Sequence, residues 1–387
     1  MDDLLNDAAR RALTYLQGIE DRPVYPEPSR LAALESLERQ LPDTPSEAQD
    51  VLRELDELGS PATVSTAGPR YFGFVTGGAL PVSVASHWLA TAWDQNAAMA
   101  VMSPTAHHFE TLAGEWLLDL LGLPSESAVG FVTGTTAAHI ACLAAARHAV
   151  LEQVGWDVEA QGMNGAPRVQ IVTSEEVHTT IYRALSLLGF GRDHVTVVPA
   201  DRQGRLRADA LPELKGPSII CAQAGNVNTG AFDPIDDLCS AASEVGAWVH
   251  VDGAFGLWAA AGPTRKALVP GLGRADSWAT DGHKWLNVPY DNGVAIVRDP
   301  AAMRASLAMR AAYLTQGTHP MDFTLEMSRR ARGVDVWAAL RSLGRQGVAD
   351  LIERSCARAR RFAERLSAAG AEVLNEVELN QVLVSFG

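Results

Sequence analysis

Two hydrophobic periods succeed one another along this chain, and the change between them marks out its parts. Over residues 1 to about 60 apolar positions recur every three to four residues, at Leu4, Leu5, Ala8 and Ala12, then at Leu31, Leu34, Leu37 and Leu41. That is the spacing of one helix face. Between the runs lies Arg22-Pro23-Val24-Tyr25-Pro26-Glu27-Pro28, and proline both lacks the amide proton a helix interior needs and restricts the residue before it. The pattern predicts two helices joined by a stiff turn, an arm suited to wrapping a neighbouring subunit.

From about residue 61 the period shortens. Runs of β-branched and apolar residues at 130–132, 169–172, 195–198, 218–221, 247–251 and 293–297 read as strands, and most are separated by enough chain for a crossover helix. This alternation is the signature of a mainly parallel sheet with helices on both faces, so the fold class is α/β. Ligands of such sheets gather beyond the carboxyl ends of the strands. The rule singles out Thr133 to Thr136, Ser174 to His178, Asn226 to Thr229, and Asp252. After about 300 the chain turns helical and arginine-rich, over Met327 to Arg345 and Leu351 to Ala368, and residues 376–386 read as one strand of an unfinished sheet. The organisation expected is a helical arm over 1–60, a large α/β domain over 61–300, and a helical connection leading into a small carboxy-terminal domain over 301–387.

Composition narrows the class. With 387 residues, 47% of them apolar, the chain can bury one large core and a second smaller one. A formal charge of −14 argues against nucleic acid or an acidic membrane surface as partner. Cys142, Cys221, Cys239 and Cys356 are widely spaced and form no Cys-x-x-Cys pair, which points to reduced thiols and a cytoplasmic setting. The start, Met1-Asp2-Asp3, is acidic where a secretory signal is basic. No His-Glu-x-x-His spacing accompanies His178 or the pair His107-His108, so no metal site is expected.

The chemistry sits at the strand ends. Thr133-Gly134-Thr135-Thr136 precedes a helical run; free amides at a helix start favour an anion, although ordinary threonine capping fits the same residues. Asp252 closes an apolar strand, where a carboxylate either meets a cation or caps the following turn. His178 follows another strand, placed to stack on a flat ring or to serve the helix start it occupies. Lys284 lies in His283-Lys284-Trp285. Walled by an imidazole and an indole it would be disfavoured as an ammonium and so be a nucleophile toward an aldehyde; left at the surface it would be an ordinary lysine. Taken together, an anion cradle, an imidazole, a carboxylate and a lysine describe one ligand, pyridoxal phosphate.

Further segments carry a resemblance. Tyr71-Phe72-Gly73-Phe74, Ser103-Pro104, Phe131 to Thr136, Ser174 with His178, Thr229-Gly230-Ala231-Phe232-Asp233-Pro234-Ile235, His250-Val251-Asp252-Gly253-Ala254 and His283-Lys284-Trp285 occur in that order. In these segments the chain resembles the group II pyridoxal-phosphate-dependent amino acid decarboxylases, the aromatic-L-amino-acid decarboxylases among them. The resemblance implies the aspartate aminotransferase fold, fold type I. It implies Lys284 as the Schiff-base lysine, Asp252 as partner of the pyridine nitrogen and His178 as the imidazole stacked on the ring. It also assigns Thr135 and Thr136 to the phosphate turn, Asn228 to the cofactor's flank, Ala254 to the ring face and His283 to the lysine's side. A homodimer with Tyr71 to Phe74 lining the substrate pocket follows from the likeness as well.

The activity implied is α-decarboxylation of an L-amino acid, aromatic if Tyr71, Phe72 and Phe74 line the pocket. A carbon-carbon lyase or aldolase of the same fold, and a protein that binds the cofactor without turnover, are the alternatives. Four departures bear on them. Ala137, Ala138 and His139 stand where the family often has an acidic residue and an asparagine, and Asp281 stands where aromatic-amino-acid decarboxylases have asparagine near the phosphate. A carboxylate there repels a phosphate unless protonated or turned away, which leaves Asp281 and Thr280 weak cofactor candidates. Tyr313 falls too early to be the loop tyrosine that protonates the α carbon, and the chain stops at Phe386-Gly387, where family members continue.

Overall fold

A computed structural model describes residues 1–37, 40–309 and 317–387, so the Tyr313 reading lies outside the described residues. The chain divides into two compact units, Met1–Gly78 and Ala79–Gly387.

The first unit is helical, but in more pieces than two. Asp2–Gln17 is one helix, Pro28–Ala33 a short second, and Ala48–Glu54 a third that runs on through residue 62. The run expected to continue to Leu41 leaves the helix at Leu37, whose backbone is already extended. Arg11 ties the pieces together, bonding Asp7 at 2.8 Å within its own helix and Asp56 at 2.9 Å on the third. None of the residues of Asp2–Gln17 is buried, and Leu5, Leu13 and Leu16 are exposed.

The second unit is built on a seven-stranded sheet: β1 (Ala128–Val132), β2 (Gln170–Ser174), β3 (Val195–Val198), β4 (Ser218–Gln223), β5 (Trp248–Asp252), β6 (Ser277–Asp281) and β7 (Gly293–Val297), in the spatial order β1-β7-β6-β5-β4-β2-β3. The six strands read from the sequence are present, and β6 is the addition. The pairs among β2 to β6 are parallel, while β7 runs antiparallel to both β6 and β1. Reversal at β7 therefore leaves β1 pointing the same way as β2 to β6. All six of those strands end at one edge of the sheet, and the β6–β7 connection turns over that same edge.

Thr135–Glu152 is the innermost helix. Its alanines, Ala137, Ala138, Ala141, Ala144, Ala145 and Ala146, are buried, as are Leu143 and Leu151. Small side chains let a helix lie close to a sheet, and apolar residues all round it mark a helix enclosed on every side. Near the carboxyl end the helix starts at Gly333, not Met327, and runs to Ala368 with a break at Gly344, whose φ of 62° only glycine adopts readily. Instead of one strand over 376–386 there are two short ones, β8 (Glu372–Val373) and β9 (Val384–Ser385), paired antiparallel. Asn375 holds the turn between them, accepting from the Leu383 amide at 2.8 Å.

Candidate active site

Register brings the first two parts together. Gly293 of β7 pairs with Val132 of β1 on one side and Asp281 of β6 on the other, so the end of β1 and the end of β6 lie one strand apart. Just past β1, Gly134 packs so tightly on Gly293 that a β carbon at 293 would overlap its backbone. The helix opening at Thr135 then presents its first amides. The Thr135 N–H donates to Asp281 Oδ1 at 2.7 Å, and the buried Thr135 Oγ1 has no partner among the described residues. Thr136 beside it is half-buried.

Lys284 follows β6 by three residues. Its Nζ is 3.0 Å from Asp281 Oδ2, with 21% of the side chain exposed. The apolar wall expected around it is not what holds it, because its neighbours are engaged elsewhere. His283 Nδ1 accepts from the Asn292 N–H at 3.0 Å and the ring stacks on Tyr290 at 4.3 Å between centroids; Trp285 is buried. His283 Nε2 lies 3.5 Å from Asp281 Oδ1, so Asp281 links the lysine, this imidazole and the helix start. Burial holds the His283 pKa below the usual imidazole value, against the pull of Asp281.

Asp252 ends β5 and is 6% exposed. Its Oδ1 accepts from the Ala254 N–H at 3.1 Å, and its Oδ2 lies 3.4 Å from Nε2 of the fully buried His139. Burial pushes this carboxyl up, but His139, the Ala254 amide and the charge on Lys284 pull harder, and the net pKa falls well below the usual carboxylate range. The group is therefore ionised in a nearly dry setting and within electrostatic reach of Lys284. Behind it His139 Nδ1 meets His250 Nε2 at 2.9 Å, His250 Nδ1 meets Ser277 Oγ at 2.8 Å, and Ser277 Oγ accepts from Trp248 Nε1 at 2.9 Å. Burial holds His250 well below the usual imidazole pKa.

The remaining candidates lie at the same strand edge. His178, past β2, is exposed and caps the helix Thr179–Leu187, its Nδ1 2.8 Å from Thr180 Oγ1. A neutral ring accepting at Nδ1 carries its proton on Nε2. Asn228, past β4, is exposed; its backbone amide donates to Asn226 Oδ1 at 2.9 Å. The Ala254 carbonyl accepts from the Asp281 amide at 2.9 Å and stands 3.5 Å from Thr280 Oγ1. Tyr71 to Phe74 belong to the first compact unit, with Phe72 72% and Phe74 94% exposed.

Residues 28–387 match the family described as the pyridoxal-dependent decarboxylase conserved domain. The chain belongs to this family. Tryptophan decarboxylase 1 of Oryza sativa subsp. japonica is 28% identical over 380 residues, covering 90% of this chain and 73% of that relative. Acidic amino acid decarboxylase GADL1 of Mus musculus is 26% identical over 372 residues, covering 92% of this chain and 66% of that one. A solved structure of Oryza sativa TDC with PLP and tryptamine has a TM-score of 0.89 at 25% identity, covering 98% of this chain and 82% of that chain. The protein is thus a pyridoxal-phosphate-dependent amino acid decarboxylase of fold type I.

The residues of this decarboxylase suit that cofactor. An unpartnered buried hydroxyl at the start of an 18-residue helix, a primary amine and a dry ionised carboxylate match a phosphate, an aldehyde and a protonated ring nitrogen. Sequence reasoning missed the chain of His139, His250, Ser277 and Trp248. His139 falls one helical turn after Thr135, on the same face, while His250 is two residues before Asp252 in β5 and so shares its side of the sheet. That pair of spacings was the available signal.

Proposed function

We propose that this decarboxylase removes the α-carboxylate of an L-amino acid, with Lys284 holding the aldehyde of pyridoxal phosphate, Asp252 facing its ring nitrogen and His178 lying against its ring. Thr135 and Thr136 take the phosphate, and Asn228, Ala254 and His283 complete the surround. The observation that carries this reading is the meeting of Lys284, the Thr135 helix start and an ionised Asp252 at one sheet edge. When bound, the cofactor supplies an electron sink for the pair left on the α carbon as carbon dioxide departs.

The protein's own groups prepare that chemistry. Asp252, kept charged, holds a proton on the ring nitrogen. Asp281 orients the Lys284 amine and must release the Thr135 amide for a phosphate to take it. His178 is anchored through Nδ1 to Thr180, which leaves Nε2 for another partner. For the substrate we favour an aromatic amino acid, on the likeness to a tryptophan decarboxylase. The exposed Leu5, Leu13 and Leu16 support a homodimer, and four free buried cysteines suit a cytoplasmic setting.

Purified protein supplied with pyridoxal phosphate is expected to show the visible absorbance of a lysine-bound cofactor, and Lys284→Ala to lose it. Persistence of that band in Lys284→Ala would refute the assignment. A screen of the twenty amino acids for amine and carbon dioxide then names the substrate; aldehyde release without carbon dioxide would favour a carbon-carbon lyase.

A further inference from the structure

Behind Asp252 lies a buried polar chain that the reaction as described does not use. It crosses three elements: His139 on the helix Thr135–Glu152, His250 and Trp248 on β5, and Ser277 on β6. His139, His250 and Ser277 are fully buried and Trp248 nearly so. A core of this kind could have been filled with apolar side chains at lower risk, since buried polar groups are costly unless every one is satisfied.

The direction of the chain follows from its ends. An ionised Asp252 can only accept, so the hydrogen facing it belongs to His139 Nε2. That N–H has no other partner among the described residues; at 3.4 Å it is longer than a formed hydrogen bond, and a small rotation closes it. If His139 is neutral, its Nδ1 is an acceptor and His250 Nε2 carries the next hydrogen. His250, neutral in its turn, accepts at Nδ1 from the Ser277 hydroxyl, whose oxygen accepts from Trp248 Nε1, a group that can only donate. Every donor then has an acceptor. A doubly protonated His139 would reverse both imidazole bonds and give Ser277 Oγ two donors, leaving its own buried hydrogen without an acceptor. Hydrogen-bond satisfaction therefore selects one arrangement, with both imidazoles neutral and protonated on Nε2.

We infer that His139, His250, Ser277 and Trp248 form a one-way hydrogen-bond chain that positions Asp252 as an acceptor-only carboxylate, with His139 its direct positioning residue. The inference rests on the reading of Asp252 as the partner of the ring nitrogen. Besides the two imidazoles, the titratable groups acting on this cluster are Lys284, Cys221 and Asp233. None of them offers Asp252 a hydrogen bond that could replace the one from His139.

Two measurements test it. Nitrogen NMR of histidine-labelled protein, with and without pyridoxal phosphate, is assigned by loss of one signal each in His139→Gln and His250→Gln. Both rings are expected as the neutral Nε2–H tautomer. An imidazolium or an Nδ1–H tautomer at either position overturns the chain, and since the cofactor-free protein reports this too, it is separable from failure of the cofactor reading. The second compares His139→Leu with His139→Gln in the loaded enzyme. Loss of the donor makes Asp252 easier to protonate, so the acid limb of kcat is expected to move up by about one pH unit in His139→Leu. KM should stay near the wild-type value, and His139→Gln, which keeps an N–H, should recover much of the shift. An acid limb that stays in place in a folded, cofactor-loaded His139→Leu enzyme removes the proposed role.

Discussion

Position 252 must keep a charge where almost no water reaches, and the residues around it are chosen accordingly. Because the folded pKa of Asp252 is depressed, its contribution to stability is present above the unfolded value of 3.8 and is lost as pH falls through the folded one. Asp252→Ala should keep the cofactor and lose turnover by a hundredfold or so, on the order of 3 kcal/mol of transition-state stabilisation; unchanged turnover would place the sink elsewhere. At Asp281 the expectation runs the other way. Its carboxylate already holds the Thr135 amide that a phosphate needs, so Asp281→Asn, which removes a like charge but keeps an acceptor, should tighten cofactor binding several-fold, read by equilibrium titration. Asp252 stood out in the sequence because it closes an apolar strand, where such sheets do chemistry, whereas Lys284 stood out only through its neighbours His283 and Trp285, the strand before it being hidden. His139 did not, because one histidine in an alanine-rich helix announces nothing until β5 supplies His250 as its partner.

Among elements, β7 decides how the site is closed. Its first residue, Gly293, pairs with both β1 and β6 and lies against Gly134, so the anion cradle rests on that strand. Gly293→Ala should cost about 1–3 kcal/mol by overpacking and weaken cofactor binding at the same time, measured by urea unfolding and by titration. A loss of stability with binding unaffected would show that the cradle does not depend on β7. The sequence showed β7 plainly, as five apolar residues between polar flanks, but hid β6. Ser277-Trp278-Ala279-Thr280-Asp281 is buried on both faces, so it lacks the alternation that marks a half-exposed strand, and its polar residues read as a motif rather than as sheet. Gly333 and Gly344 were equally silent about where the last long helix begins and breaks, since arginines and alanines are good helix formers on either side of them.

For the whole molecule, acidity acts through two buried carboxylates, Asp252 and Asp233, whose pKa values move in opposite directions. Burial pushes Asp233 up to about 7, although its oxygens accept from the Leu206 and Gln223 amides at 2.7 Å. Its folded pKa is raised, so its stabilising share is present below 3.8 and is lost as pH rises through about 7. The urea midpoint of the wild type should carry that decline, and Asp233→Asn should flatten it while costing about 1–3 kcal/mol for the amide it no longer accepts. Association is the other property at this scale. Sedimentation should report a dimer, with Leu13→Glu and Leu16→Glu shifting it toward monomer. The strand order also has a temporal consequence. Since β1 is an edge strand whose one neighbour in the sheet among the described residues is β7, a nascent polypeptide that has emerged only as far as Lys284 has made the groups that would grip vitamin B6 and yet has nothing to brace the loop meant for its phosphate. Loading is expected to wait until residues 293–297 leave the ribosome and slide between the newly made β6 and the much older β1, so that capture of the cofactor is a late step of biosynthesis.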